Sequence, residues 1–283
     1  MSGTEHETGA APSARIERGV STWSLHRTLG EFAGAESAAH GGPFLPQVGA
    51  APKQTLIDLL PELAARGYTT LHICHFHLES RDPAYLRAVR NSLERQGISL
   101  DTLLIDDGDL TAPDRDVQLA WYDGWLEAAA ALGARRARIG AGRSAPTEEL
   151  LRSSGQSLAA LAARHPTVRV VTENWLGMTP DAESIFAVLE AAGDQIGLLI
   201  DLGNWHGPRK HAELAKIAAK AETCHAKCAV SAAGPDEADF GAALTVLRDA
   251  GFAGPLALIY DGPDPDEWYW LDREWEIVQR VFA

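Results

Sequence analysis

The chain has 283 residues, 46% of them hydrophobic and 23% charged, the balance of an ordinary globular protein. Its formal net charge of −14, from 25 basic and 39 acidic residues, repels nucleic-acid phosphate and anionic membrane. A small polar molecule is therefore the expected partner, with neither nucleic acid nor membrane. No run of about 18 apolar residues occurs, so no membrane-spanning helix is expected. Cys74, Cys224 and Cys228 are an odd number and too few for a disulfide framework. The opening MSGTEHETGAAPSARIERG has no apolar core and does not resemble a secretory signal. Residues 1–18 are expected to be a disordered tail, 19–283 a single domain, and the location cytoplasmic. A homo-oligomer is compatible with the sequence, which does not fix the subunit number.

After the tail, GVSTWSLH (19–26) is a short β-type run, and residues 27–52 hold Gly, Ala and Pro without periodicity, as a long loop lying over a site would. From Thr55 the spacing turns helical, with Leu56, Leu59, Leu60 and Leu63 on one face and Gly67 near the stop. TTLHICHF is the second strand, 82–96 a helix ended by Gly97, and SLDTLLID the third strand. A helix over 115–132, strand RRARIG, a helix over 147–164 and strand VRVVTE follow. A helix over 180–192 precedes strand IGLLID, a short helix near 209–219 precedes strand TCHAKC, and a helix over 236–250, strand PLALIYD and a helix over 266–282 complete the chain. Strict alternation implies a parallel sheet with right-handed crossovers. Eight strand-then-helix units in this length predict a closed (β/α)₈ TIM barrel. Neither a dinucleotide fingerprint after the first strand nor a GxxxxGK[ST] loop is present, and GAGR at 140–143 is most simply a turn.

One stretch concentrates the chemistry. Between Val168 and Ala229 lie three apolar runs, VRVVTENW, IGLLIDLGNW and TCHAKCAV, which deliver Glu173, Asp201 and His225 at their C-terminal ends. Two carboxylates and an imidazole are the side chains a divalent cation takes when oxygen and nitrogen ligands are wanted. The intervals of 28 and 24 residues are each about one strand-plus-helix unit, so successive strand ends can present the three groups to one point at the C-terminal rim. The competing reading, that Asp201 and His225 only cap helices or close turns, weakens when all three fall at matching places.

With these residues the chain resembles the sugar phosphate isomerase/epimerase superfamily, the xylose isomerase-like barrels. The resemblance rests on T-E-N at 172–174, I-D-L-G-N at 200–204 and H-A-K at 225–227, with Y-D-G-P at 260–263 and G-Y-T-T-L-H at 67–72 adding to it. It implies a divalent metal held by Glu173, Asp201, His225 and a second glutamate, with Lys227 reaching a substrate oxygen or phosphate. Two positions depart from the pattern. Ile259 stands where the fourth ligand belongs, leaving Asp261 as the nearest carboxylate, and His72 replaces the glutamate of the second strand.

The resulting expectation is a metal-dependent isomerase or epimerase acting on a small, sugar-like hydroxy-carbonyl compound through an enediolate, with Mn²⁺, Co²⁺, Zn²⁺ or Mg²⁺ as cofactor. Glu173 is the expected base; Lys227 and one of His72, His75 or His77 hold substrate or move the second proton, His75 being the leading carrier. Trp23, Arg138, Asn174 and Asn204 are the further substrate-binding candidates. Trp23 and the histidines serve equally well as packing within the barrel wall. A lyase or cyclase using the same enolate chemistry, and a non-catalytic metabolite-binding barrel, are the alternatives; a DNA-repair endonuclease on this fold is disfavoured by the charge.

Overall fold

The structure, a computed structural model, describes residues 16–30, 53–231 and 234–283. Residues 1–15 of the expected tail and 31–52 of the expected loop lie outside the described residues. Eight parallel strands close into a barrel: β1 (Gly19–Ser21), β2 (Thr70–Cys74), β3 (Ser99–Ile105), β4 (Arg136–Ile139), β5 (Arg169–Glu173), β6 (Gly197–Asp201), β7 (Ala221–Lys227) and β8 (Leu256–Ile259), with β1 paired to both β2 and β8. The helices that follow them are α1 (Leu56–Ala65), α2 (Pro83–Gln96), α3 (Arg115–Leu132), α4 (Glu148–Arg164), α5 (Ala182–Ala192), α6 (Lys210–Ile217), α7 (Glu237–Asp249) and α8 (Glu267–Phe282). A two-stranded ribbon, Val230–Ser231 with Gly234–Pro235, follows β7.

Local chemistry sets the boundaries. Thr55, Thr147 and Asp181 accept backbone N–H bonds from Asp58, Leu150 and Ser184, so α1, α4 and α5 begin where a side chain satisfies their orphan donors. Gly97 and Gly133 end α2 and α3 in the left-handed conformation. The first strand is shorter than its composition predicts: Ser21 accepts from Trp23 N–H, and residues 22–25 coil into a 3₁₀ turn. At the seam where the barrel closes, a Cβ on Gly19 would lie 2.3 Å from the Leu256 carbonyl oxygen, so only glycine fits. Of the three tail residues that are described, Arg18 is held by the Arg66 carbonyl and pairs with Asp272, and Ile16 packs against the core.

The two-residue side-chain period sorts the strands into faces. Leu71, Ile73, Leu103, Val170, Leu198, Ile200, Cys224 and Leu258 point outward into the main core under the helices. Cys74, Leu104, Val171 and Leu199 point inward and form a separate apolar cluster with Phe76 and Trp23. The same count places Glu173, Asp201, His225, Lys227 and Ile259 on inward positions. Two bulges interrupt it. Leu71 and His72 pair with Leu100 and Thr102, and Leu198 and Leu199 pair with Ala221 and Thr223, so Asp101 and Glu222 are the extra residues.

One core position runs against the packing. Glu274 in α8 is 0% exposed and neither carboxyl oxygen has a hydrogen-bond partner. Burial raises it well above the usual carboxylate range, the Asp261 charge adds to the rise, and Lys227 opposes it. The folded state therefore binds a proton that the unfolded chain releases above about pH 4.3, and stability falls as pH climbs from there toward the folded value. Glu274→Leu is expected to stabilise the protein by about 1–3 kcal/mol, the cost of an unsatisfied buried polar group. Urea denaturation at pH 5 and pH 8 should show the larger gain at pH 8; a loss of stability, or an equal gain at both, would contradict this account.

Candidate functional site

The ends of β5, β6 and β7 bring three groups together at the barrel mouth. One donor atom each from Glu173, Asp201 and His225 lies within 4.8 Å of the others, and all three residues are buried. His225 Nδ1 is 3.4 Å from Glu173 Oε1 and 3.6 Å from Asp201 Oδ2. Four-coordinate ligands on bonds of about 2.1 Å sit about 3.4 Å apart, so the two histidine–carboxylate separations match a shared divalent ion. Burial opposes the imidazolium at His225, but the Glu173 and Asp201 carboxylates outweigh it and the net shift is upward. Burial would raise Asp201, while His225 and Lys227 hold it below the usual range.

Each member is braced. Asp201 Oδ1 accepts the backbone N–H groups of Gly203 and Asn204, at 2.6 and 2.8 Å. Asn174 clamps the Asp201 main chain from both sides: its amide donates to the Asp201 carbonyl at 2.9 Å, and its Oδ1 accepts the Asp201 N–H at 2.7 Å. Asn204 Nδ2 donates to Glu173 Oε1 at 3.1 Å. Arg138 Nε approaches Glu173 Oε2 at 2.8 Å, out of hydrogen-bond alignment, and its NH2 donates to Asp106 at 2.6 Å. Burial pulls Arg138 down, but Asp106 and Glu173 more than offset it and keep the guanidinium charged. Trp175 covers that guanidinium, whose carbon lies 4.5 Å from the ring centroid, and the next residue, Leu176, adopts φ 65°. Such backbone is costly for a leucine and typical of a constrained loop.

Lys227 lies on the inward face one step beyond His225 and pairs with Asp261 at 2.6 Å. A Cβ on Gly203 would meet the Lys227 side chain at 2.7 Å, so this glycine makes room for its stem. Burial would lower Lys227, but Asp201 and Asp261 outweigh it and the net shift is upward. It is accordingly a cation for substrate oxygen rather than a neutral base.

The cavity over the triad, about 40 Å³, is also lined by Trp23, Arg138, Asn204, Lys227 and Ile259. A larger cavity of about 440 Å³ adjoins it between the loops after β5 and β6, sharing Trp175 and Asn204 and reaching Asn174 and Arg209. Asp261, considered above as a fourth ligand, does not join the triad. Strand β8 ends at Ile259, so Asp261 does not continue the inward face and is held on Lys227 instead.

The histidines of β2 separate. His72 lies inside the barrel beneath the triad, its Nδ1 3.1 Å from His225 Nε2, and it does not line the substrate cavity. His75, expected as the proton carrier, faces away from the cavity, on the outward step that follows inward Cys74 as β2 gives way to a 3₁₀ turn. Its Nε2 is 3.2 Å from Asp107, and its ring meets Trp121 and Trp125 edge-on. His77 is fully buried against Thr22, and burial lowers it to about 3, so its ring is neutral; it too is absent from the cavity wall. Asp106 and Asp101 were not anticipated. Asp106 lines the small cavity and anchors Arg138, and period-two counting from Leu104 would have placed it inward. Asp101 reaches the interior only through the bulge in β3.

A sequence model of the family described as xylose isomerase-like TIM barrel matches residues 60–275. No match is found among curated proteins. Similar solved structures include a D-tagatose 3-epimerase-like protein (TM-score 0.66, 14% identity, 95% of this chain and 100% of that one). A 3-keto-D-glucoside 4-epimerase from E. coli aligns with TM-score 0.65 at 13% identity, over 94% of this chain and 100% of the other. A probable 3-DHS dehydratase involved in petrobactin synthesis in Bacillus anthracis gives 0.66 at 12%, over 93% and 99%. At such identities the likeness is one of fold.

Asn174→Ala would leave two main-chain groups of Asp201 buried without partners. It is expected to cost about 1–3 kcal/mol of stability and to weaken divalent-ion binding along with it. Urea denaturation and calorimetric zinc titration of the variant check both; unchanged values in both would show that the clamp is dispensable.

Proposed function

This chain belongs to the xylose isomerase-like TIM-barrel family, and from that premise we propose that it is a divalent-metal-dependent enzyme that isomerises or epimerises a small, sugar-like hydroxy-carbonyl compound. The observation that carries the reading is the buried Glu173–Asp201–His225 cluster at the mouth, with cations on two sides of it. These three residues would hold Mn²⁺, Co²⁺, Zn²⁺ or Mg²⁺, which supplies Lewis-acid stabilisation to adjacent carbonyl and hydroxyl oxygens and so favours an enediolate.

The remaining roles belong to the chain. Glu173 presents Oε1 to the cluster and Oε2 toward Arg138, and is the carboxylate placed to take the α-proton. Arg138, held by Asp106, limits where Glu173 can swing. Lys227, at the end of β7, and Asn204, in the loop after β6, reach into the cavity to bind substrate hydroxyls, and Trp23 gives an apolar wall. The adjoining 440 Å³ cavity offers room for the part of the substrate that does not react.

Ile259 favours a second reading. It lines the cavity on the β8 side, where it can neither bind a cation nor carry a proton. With Asp261 held on Lys227, Glu173 is the one carboxylate among the described residues placed to act as base, and a one-base enzyme is suited to isomerisation or to elimination of water. A lyase is therefore the alternative, and the fold likeness to a probable dehydratase is compatible with it. A metabolite-binding barrel would show binding without turnover.

Incubation of the metal-loaded and chelator-stripped protein with a panel of ketoses, ketose phosphates and hydroxy-ketoacids in D₂O, followed by NMR, tests the reading. Solvent deuterium should enter the α-carbon only with metal present, and Glu173→Gln should reduce the rate by 100-fold or more (roughly the lower bound for a general base). Loss of water from the recovered compound would select the lyase. Binding with neither exchange nor product would refute an enzyme of this class.

A further inference from the structure

Beneath the cluster, a line of polar groups runs down through the barrel. His225 Nε2 lies 3.1 Å from His72 Nδ1. His72 Nε2 lies 3.2 Å from Asp101 Oδ2. Arg136 NH1 donates to Asp101 Oδ1 at 2.5 Å, and Arg136 Nε is 3.5 Å from Glu222, which also pairs with Arg169 at 2.8 Å. His72, Asp101 and His225 are each no more than 3% exposed, so water has little access along the upper half of this line.

The donors and acceptors can be ordered from the bottom. Beside Arg136, and with the Thr102 and Thr223 hydroxyls pointed at Oδ2 from 2.8 and 2.9 Å, Asp101 is an ionised carboxylate that only accepts. With its hydroxyl proton given to Asp101, Thr223 can only accept at its 3.3 Å contact with His72 Nε2, so both neighbours of that nitrogen are acceptors and the proton there comes from His72 Nε2. A neutral ring with its proton on Nε2 has a bare Nδ1, which accepts from His225 Nε2–H. With Nε2 committed to His72, Nδ1 is the His225 nitrogen left on the side where the Glu173 and Asp201 carboxylates stand 3.4 and 3.6 Å away, and there a metal ion would take the place of any proton held between them. The opposite orientation would put a lone pair of His72 against the carboxylate of Asp101. It would also place a proton on the His225 nitrogen that a metal needs. Which ring nitrogen of a histidine takes a metal is set by the hydrogen bond made by the other.

We propose that His72 and Asp101 are positioning residues for the metal: together they fix the ring proton of His225 on Nε2 and hold its Nδ1 open to the ion. The inference rests on the metal-site reading above and adds two residues that touch neither metal nor substrate. Arg136 and the bulge in β3 belong to the same device, since the bulge turns Asp101 inward and Arg136 keeps it charged.

The test combines zinc affinity, from competition with a chromophoric chelator, with ¹⁵N NMR of histidine-labelled protein at one fixed pH. In wild-type protein, zinc-free and zinc-loaded, His72 should carry its proton on Nε2 with Nδ1 bare. Asp101→Asn, which offers His72 an N–H instead of a carboxylate, should move that proton to Nδ1. Zinc Kd should rise about 10–100-fold in Asp101→Asn and in His72→Leu, the usual range for loss of an outer partner of a metal ligand. His72→Asn, whose side-chain oxygen can still accept from His225, should recover most of the affinity. Unchanged zinc affinity in folded Asp101→Asn, or a wild-type His72 protonated on Nδ1, overturns the proposal. Failure of wild-type protein to bind zinc would instead remove the metal-site reading on which it rests. If His72→Leu does not fold, the wild-type ring protons and Asp101→Asn still decide.

Discussion

Four carboxylates, Asp101, Asp106, Glu173 and Asp201, lie inside this barrel with no more than 3% exposure each, and the rest of the interior is arranged around keeping them paired. An isolated carboxylate at such depth would take up a proton or destabilise the fold by several kcal/mol. Arg138 answers for two of them, bridging Asp106 and Glu173. Arg136 and His72 answer for Asp101, and His225, Lys227 and two backbone N–H groups for Asp201. The aromatic cover of Trp175 over Arg138 and the Asn174 clamp on the Asp201 backbone hold these pairs in one geometry. A barrel interior is usually filled by layers of branched apolar side chains. Here that filling, Cys74, Leu104, Val171 and Leu199, shares the space with a polar line running from the mouth toward the strands' N-terminal ends.

This division explains which features were legible in the sequence. Strand and helix order follows from alternating apolar periodicities, and β5, β6 and β7 end within a residue of the expected strands VRVVTE, IGLLID and TCHAKC. Because side chains alternate strictly along a strand, Glu173, Asp201 and His225 fall on inward positions once the strands are placed, and their convergence at the rim follows from the fold. Asp101 was hidden by the same rule. Counting back from inward Leu104 puts it outside, and only the one-residue bulge opposite β2 brings it in. Asp261 lies just past the end of β8, where the chain coils and the count from inward Ile259 ceases to hold, whereas His75 falls outside by plain alternation from inward Cys74. Glu274 carries no local mark at all, because its burial depends on how α8 seats on the barrel.

The chemistry open to the site follows from what surrounds Glu173. On one side stand His225 and Asp201; on another, Arg138; toward β8, among the described residues, stands Ile259. Among the described residues a substrate would meet Glu173 as the carboxylate placed for proton transfer, a cationic Lys227 and the amide of Asn204, with an apolar surface on the β8 side. Under the proposed function, that asymmetry would favour a one-base isomerase or lyase over an epimerase that exchanges protons on both faces of a carbon. The larger cavity beside it lies on the side of the loops after β5 and β6, lined by Trp175 and Arg209, and under the proposed function it would take the unreacting end of the substrate.

The central claim is that Glu173, Asp201 and His225 form a cation site, and diffraction from crystals soaked in zinc, recorded at the zinc edge, tests it most directly. The account predicts one strong anomalous peak about 2.0–2.2 Å from His225 Nδ1 and from one oxygen each of Glu173 and Asp201. A peak elsewhere on the molecule, or none while the three side chains remain paired with one another, would contradict it.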